Sequence, residues 1–137
     1  MADDWNIQII NEFRANGGEV GGQFAGMPLL LLHHTGAKTG TERVNPVAYQ
    51  RVGDSYAVFA SFAGRPDDPQ WYRNLVAHPD ASIEVGTSTV KVHARVADPA
   101  EREPIWTRQK QDAPGFAKYE ETAAPRVIPV VLLDPVA

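Results

Sequence analysis

The stretch PLLLLHHTGAKTGTERVNPVAY, Pro28 to Tyr49, decides how this chain folds. Leu29 to Leu32 form a short apolar run bounded by turn residues, which predicts a strand buried on both faces. Gly36-Ala37-Lys38-Thr39-Gly40 is a polar, glycine-flanked turn. The chain then returns through Arg43 to Tyr49, a second strand, so the stretch is a hairpin whose loop carries Lys38, Thr39 and Arg43. Two glycines let backbone N–H groups point at a ligand, and two cations stand beside them. That combination suits a phosphate. The spacing is not that of a P-loop, and strand rather than helix follows it. A solvated turn with a surface Lys and Arg accounts for the same residues, since turns favour glycine and polar side chains anyway.

Upstream, Trp5, Ile9, Ile10 and Phe13 share one face of a short helix that Asp3 or Asp4 caps. The face packs on the body of the protein, with peripheral membrane contact as the alternative. Asn16 to Gly26 holds five glycines. It reads as a flap over a ligand or as a linker, so residues 1–26 form a helix and a glycine-rich flap. Downstream, Arg51 to Ser55 is a turn and Tyr56 to Ser61 a strand, which completes an antiparallel meander. Asp68 as N-cap and Pro69 at the first position begin a helix that Pro79 stops. Ser82 to Val85 and Thr89 to Val96 form a second hairpin, with Val90, Val92, Ala94 and Val96 on one face. Asp98-Pro99-Ala100-Glu101 starts a helix running to about Lys110. Phe116 to Thr122 makes one or two further helical turns. Val127 to Leu133 is the last strand, and Pro129 puts that part at an edge or bulge.

The fold class is therefore α+β and mainly antiparallel β, with six or so strands and short flanking helices. The 137 residues, 43% hydrophobic, suit one domain spanning 1–137. A net charge of −4 without a basic stripe argues against nucleic acid as partner. The absence of cysteine excludes disulfides and thiolate chemistry and fits the cytoplasm. No segment approaches the ~20 apolar residues of a membrane span. The acidic start, Asp3-Asp4, does not read as a signal peptide. His33 and His34 are adjacent on a strand and point to opposite faces, so they cannot chelate one metal. His78 and His93 have no companion spacing, and no metal site is expected. Neither a dinucleotide fingerprint nor a nucleophile elbow is present.

Four motifs in order, LLLLHHTGAKTGTERVNPVAY, VFASFAG, DPQWYRNL and RVIPVVLL, resemble the deazaflavin-dependent nitroreductase family of actinobacteria. The resemblance runs from Phe13 to Leu133. It implies a split β-barrel of the flavin-mononucleotide-binding type and coenzyme F-420, a deazaflavin with a phosphate and a polyglutamate tail. In that family the glycine loop holds the phosphate and tail, which implies Lys38, Thr39 and Arg43 here. Val44, Asn45, Pro46, Val47 and Ala48 would line the deazaflavin. Ala60, Ser61 and Phe62 would run beneath the ring, and Gln70, Trp71, Tyr72 and Asn74 would close its far side.

The implied activity is hydride transfer from the reduced cofactor to a quinone, a nitroaromatic or another conjugated electrophile. Ser61 and Tyr119 are the expected donors to the charge that develops on the substrate. A flavin-mononucleotide-using reductase of the same fold and a non-catalytic deazaflavin carrier or sensor are the alternatives. The implied state is monomer or homodimer, and cytoplasmic, with membrane association as the alternative. The sequence departs from the family at three places. Ala37 stands where relatives often carry a second basic residue, and Phe62 where Lys is common. Ala48 and Phe116 replace groups that serve nitro-compound reduction in the best-known branch.

Overall fold

A computed structural model describes residues 2–21, 28–61, 64–65 and 67–136, with the backbone alone for 2–6. The elements are α1 (Ala2–Ala15), β1 (Leu29–Thr35), β2 (Glu42–Val52), β3 (Ser55–Phe59), α2 (Gln70–Ala77), β4 (Asp80–Val85), β5 (Ser88–Val96), α3 (Pro99–Asp112), α4 (Gly115–Ala123) and β6 (Val130–Pro135). The six strands close into a barrel in the order β1-β2-β3-β6-β5-β4, with every neighbouring pair antiparallel. This is the mainly antiparallel α+β barrel expected.

The leucine run sits at the centre of the packing on both of its faces. Leu30 and Leu32 point into the barrel with Val58, Ile83, Val92, Val131 and Leu133. Leu29 and Leu31 point outward under Phe13 of α1 and Val20. All four leucines are 6% exposed or less. Each such side chain contributes about 1.5–3 kcal/mol by leaving water. A second outer layer covers β3 and β6, where α3 and α4 bring Ile105, Trp106, Phe116 and Ala123 onto Ala57, Phe59, Val130 and Leu132. Helix α2 closes one end of the barrel with Trp71 and Leu75.

Several local expectations need correction. Pro69, not Asp68, is the N-cap of α2, and no side chain caps that helix. The Asp68 carboxylate is held 2.9 Å from the Arg126 guanidinium, so a tertiary ion pair takes the group that would otherwise cap the helix. Pro129 occupies neither an edge nor a bulge of β6. The strand starts after it at Val130, and Pro129 offers its carbonyl to the Ala60 N–H at 3.0 Å. Val96 shares a face with Val92 and Ala94 but is 48% exposed, being at the end of β5.

The first half of the expected flap is anchored. Gly17 takes φ +64° just past α1, and the Gly18 N–H donates to Phe13 O at 2.8 Å, a glycine C-cap. A Cβ on Gly18 would lie 2.7 Å from Gly86 Cα, so this turn is pressed against the β4–β5 turn. Residues 22–26 of the expected flap lie outside the described residues. Asp98 caps α3 as expected, accepting from Glu101 N at 2.8 Å.

Candidate functional site

Strand β2 changes partners halfway. Glu42 to Ala48 pair with β1, whereas only Tyr49 to Val52 pair with β3. The Tyr49 N–H donates to Pro28 O at 3.1 Å, so odd-numbered residues of β2 turn their backbone polar groups toward β1. Alternation then turns those of Val44 and Pro46 toward the opposite edge. No strand pairs with that edge among the described residues. Pro46 fits there because it has no N–H to lose. Beyond Phe59 the chain stays with the other half of the barrel. Ala60 N–H bonds to Pro129 O, and Arg126 holds the carbonyls of Ala60 and Ser61 at 3.0 and 2.9 Å. The barrel is therefore split between Val44–Val47 on one side and Ala60–Ser61 on the other.

The loop between β1 and β2 lies at one end of this split. Gly36 N–H bonds to Thr41 O and Gly40 N–H to Gly36 O, at 2.8 and 2.9 Å. Thr39 Oγ1 accepts from Thr41 N at 3.3 Å. Lys38, Thr39 and Arg43 are exposed. Among the described residues neither cation forms an ion pair, so both charges are available to an anion. Beneath the loop, the Ala37 N–H donates to Asn74 Oδ1 at 3.0 Å, and Gln70 Nε2 donates to the same oxygen at 3.0 Å. Asn74 Nδ2 stands 2.9 Å from His34 Nδ1, and His34 Nε2 stands 2.7 Å from Asn45 Oδ1. Burial lowers the His34 pKa, opposed by the Asn45 hydrogen bond and reinforced by Arg43 and His33.

The remaining expected residues divide by face. On β2, Asn45 and Val47 point inward, Val47 onto the barrel core, while Val44 and Ala48 pack outward beneath α1. All five residues from Val44 to Ala48 are partly exposed. Ala60 is fully buried and Ser61 half-buried. Phe62 lies outside the described residues. Gln70 is exposed, Trp71 and Asn74 are turned into the protein, and Tyr72 is half-buried. Burial and the nearby Asp68 charge raise the Tyr72 pKa. Tyr119 is half-buried on α4, with its ring edge-on to Phe116 at 5.4 Å. Helix α4 borders the segment after Ser61, since a Cβ on Gly64 would meet the Tyr119 backbone at 3.1 Å.

Among the described residues, two cavities open. One of about 410 Å³ runs beside the hairpin base, along His33, His34, Ser82, Lys91 and Val136. The other, about 260 Å³, lies between α2 and β5 and touches Tyr72. Neither is lined by Lys38 or Arg43, so the loop and the open edge define the site better than cavity size does.

Sequence reasoning missed two residues here. Arg126 makes five hydrogen bonds, to the carbonyls of Ala60, Ser61 and Arg65 and to Asp68. His34 joins strand, helix and loop. The only signal for either was a basic or polar residue next to a strand. Among the described residues no three His, Asp or Glu side chains gather as a metal site. No helix among them is long and apolar enough to cross a membrane.

A barrel opened along one seam beside a cationic loop is the architecture of split-barrel oxidoreductases. The chain belongs to the F-420H(2)-dependent quinone reductase family, whose model matches residues 6–135. It is 38% identical over 127 residues to an F-420H(2)-dependent quinone reductase of Mycobacterium tuberculosis, covering 88% of this chain and 83% of that one. Among solved structures, an F-420-H2 dependent reductase (FDR-A) superposes with TM-score 0.71 at 33% identity, covering 78% of this chain and 94% of that one. A protein described as a domain-swapped dimer superposes with TM-score 0.73 at 30% identity, covering 98% and 100%.

Proposed function

We propose that this chain is a reductase dependent on coenzyme F-420, delivering a hydride to a quinone, a nitroaromatic or another conjugated electrophile. The observation that carries this reading is the edge of β2 that is unpaired among the described residues and ends at a loop whose two cations form no ion pair among them. The edge offers Val44 N–H and the carbonyls of Val44 and Pro46 to the polar rim of a flat heterocycle. Lys38 and Arg43 would hold its phosphate and acidic tail, with Thr39 beside them. These residues fit an elongated anionic cofactor whose ring lies in the split and whose tail runs outward. Bound there, reduced F-420 supplies the hydride.

The chain's own part is placement and charge. Asn45 and the inward face of β2 fix the floor at one side of the ring, and Ala60–Ser61, drawn away by Arg126, leave room for it. Tyr72 and Gln70 would border the far side. The Ser61 and Tyr119 hydroxyls make no side-chain hydrogen bond as donors among the described residues, so both are free to donate to the reduced substrate. The helix layers over β1 and β6 exclude water from the sheet beneath, which strengthens such donors.

Fluorescence titration with F-420, compared with flavin mononucleotide and NADPH, tests the reading. Binding of either competitor as tight as F-420 overturns it. F-420 binding without turnover of reduced cofactor across a quinone panel assigns a carrier or sensor instead. Similarity to the domain-swapped structure supports a homodimer, checked by light scattering on the purified chain.

A further inference from the structure

We propose that His34 is a positioning residue: its neutral imidazole, acting through Asn74, holds the Ala37 backbone and so sets the cationic loop for binding. The inference rests on the F-420 reading for its functional consequence and on hydrogen-bond polarity for its structure.

Polarity runs one way along the chain of contacts. The Ala37 N–H can only donate, so the Asn74 atom facing it at 3.0 Å is Oδ1. Gln70, whose own amide can turn, presents Nε2 to the same atom at 3.0 Å. The Asn74 amide nitrogen therefore faces His34, 2.9 Å from Nδ1, and that ring nitrogen must accept. The proton is left on Nε2, which donates to Asn45 Oδ1 at 2.7 Å. His34 is 2% exposed and Asn74 0%, so water does not replace a partner that Asn74 loses. One backbone N–H in the loop thus dictates the tautomer and charge of a buried histidine at the barrel end.

The converse follows. A doubly protonated His34 has two donors, and Nδ1–H would oppose the Asn74 amide. Turning that amide to relieve the conflict would aim it at the Ala37 N–H and at Gln70. Protonation is thus incompatible with a held loop. The charged and titratable groups around His34 are His33 on β1, Arg43 and Glu42 on β2, Asp80 on β4 and Lys91 on β5. Burial and the charges of Arg43 and His33 favour the neutral form; the Asn45 hydrogen bond opposes them. The latch is therefore closed at neutral pH and opens as pH falls below the ordinary histidine range.

Three proteins test this: the native chain, His34→Asn and His34→Leu. Asn retains an acceptor where Nδ1 stands and does not titrate; Leu retains neither property. F-420 affinity of the native chain should fall by about 5- to 10-fold as the pH is lowered, the size of one buried hydrogen bond. His34→Asn should bind within about threefold of the native chain at pH 7.5 and lack that fall. Ionisation of F-420 itself cancels between the two profiles. His34→Leu should bind about 5- to 10-fold more weakly at every pH. The loss should appear in KM for reduced F-420, while kcat at saturation stays within about twofold. Amide exchange at Ala37 reads the latch directly, and should be faster in His34→Leu and near native in His34→Asn. An unchanged pH profile in His34→Asn, or unchanged Ala37 exchange in His34→Leu, overturns the proposal. If the native chain binds no F-420, the cofactor reading fails, and Ala37 exchange still decides the latch.

Discussion

Replacing Arg126 by Met should loosen the split more than any other single change outside the leucine run. Its side chain is 12% exposed and ties residues 60–68 to the segment that leads into β6. Its Nε and Nη2 donate to Arg65 O, Nη2 also to Ser61 O, and Nη1 to Ala60 O and Asp68. A hydrogen bond involving a charged group contributes about 1.5–3 kcal/mol, but several made by one group do not add. Removing one partner of a buried ion pair costs about 3–5 kcal/mol. Asp68 is 33% exposed and recovers some hydration, whereas the Ala60 carbonyl belongs to a fully buried residue. A net loss of about 3 kcal/mol follows, which for a domain of this size lowers Tm by roughly 10 °C. Circular dichroism melts and urea titration measure it. Arg126→Lys should recover less than half, because an ammonium cannot reproduce the planar fork of donors that meets carbonyls along more than one edge of the guanidinium. The same variants should bind F-420 more weakly, since Ser61 loses its anchor. A Met variant melting within 3 °C of the native chain, or a Lys variant indistinguishable from it, would show that the clamp is ornamental.

Lys38→Ala and Arg43→Ala should each weaken F-420 binding by roughly 10- to 150-fold, one charge-assisted contact apiece. The native affinity should fall with added salt, because both side chains are exposed; normal binding by either variant reduces the loop to a turn. The Arg14 hydrogen bond holds the Glu84 carboxylate at about 2, down from 4.5, with burial opposing and His33 assisting. A depressed carboxylate stabilises the fold fully above about pH 4.5, and that contribution is lost as the pH falls toward 2. Solvent at the half-exposed Arg14 limits it to about 1–2 kcal/mol. Glu84→Gln should flatten acid unfolding in that window, and an unchanged acid limb would dismiss the pair. Tyr119→Phe should reduce quinone turnover toward the low end of the 10²–10⁴-fold range of proton donors, with F-420 affinity retained. Loss of affinity instead would place Tyr119 against the cofactor.

The parts legible in the sequence are those whose cause is local. Four leucines between turn residues have one economical fate, and Asp98 with Glu101 three residues on is a complete cap signal. What escaped has partners far along the chain. The carbonyls that Arg126 gathers lie 61 to 66 positions away, and a backbone carbonyl has no signature in a sequence. Asp68 carries a local capping signal that a distant guanidinium overrides. Pro129 reads as an edge residue only if it lies within the strand, and the strand begins one residue later. His34 reads as a strand end because its importance lies in two amides, one 40 residues away. The alternation along β2 was readable in principle, but which backbone edge lacks a partner depends on where β3 parts from it.

Proline in the middle of β2 also bears on how this protein avoids sticking to itself. An open strand edge ordinarily invites a stranger's strand, which docks by alternating donor and acceptor at every second residue. At Pro46 that alternation fails: a visiting carbonyl finds ring carbons where it needs an N–H. A peptide cannot skip a rung, but a planar small molecule asks for only a few contacts and can be satisfied on either side of the gap. The seam is thus poor ground for a stranger's strand before any side chain is consulted.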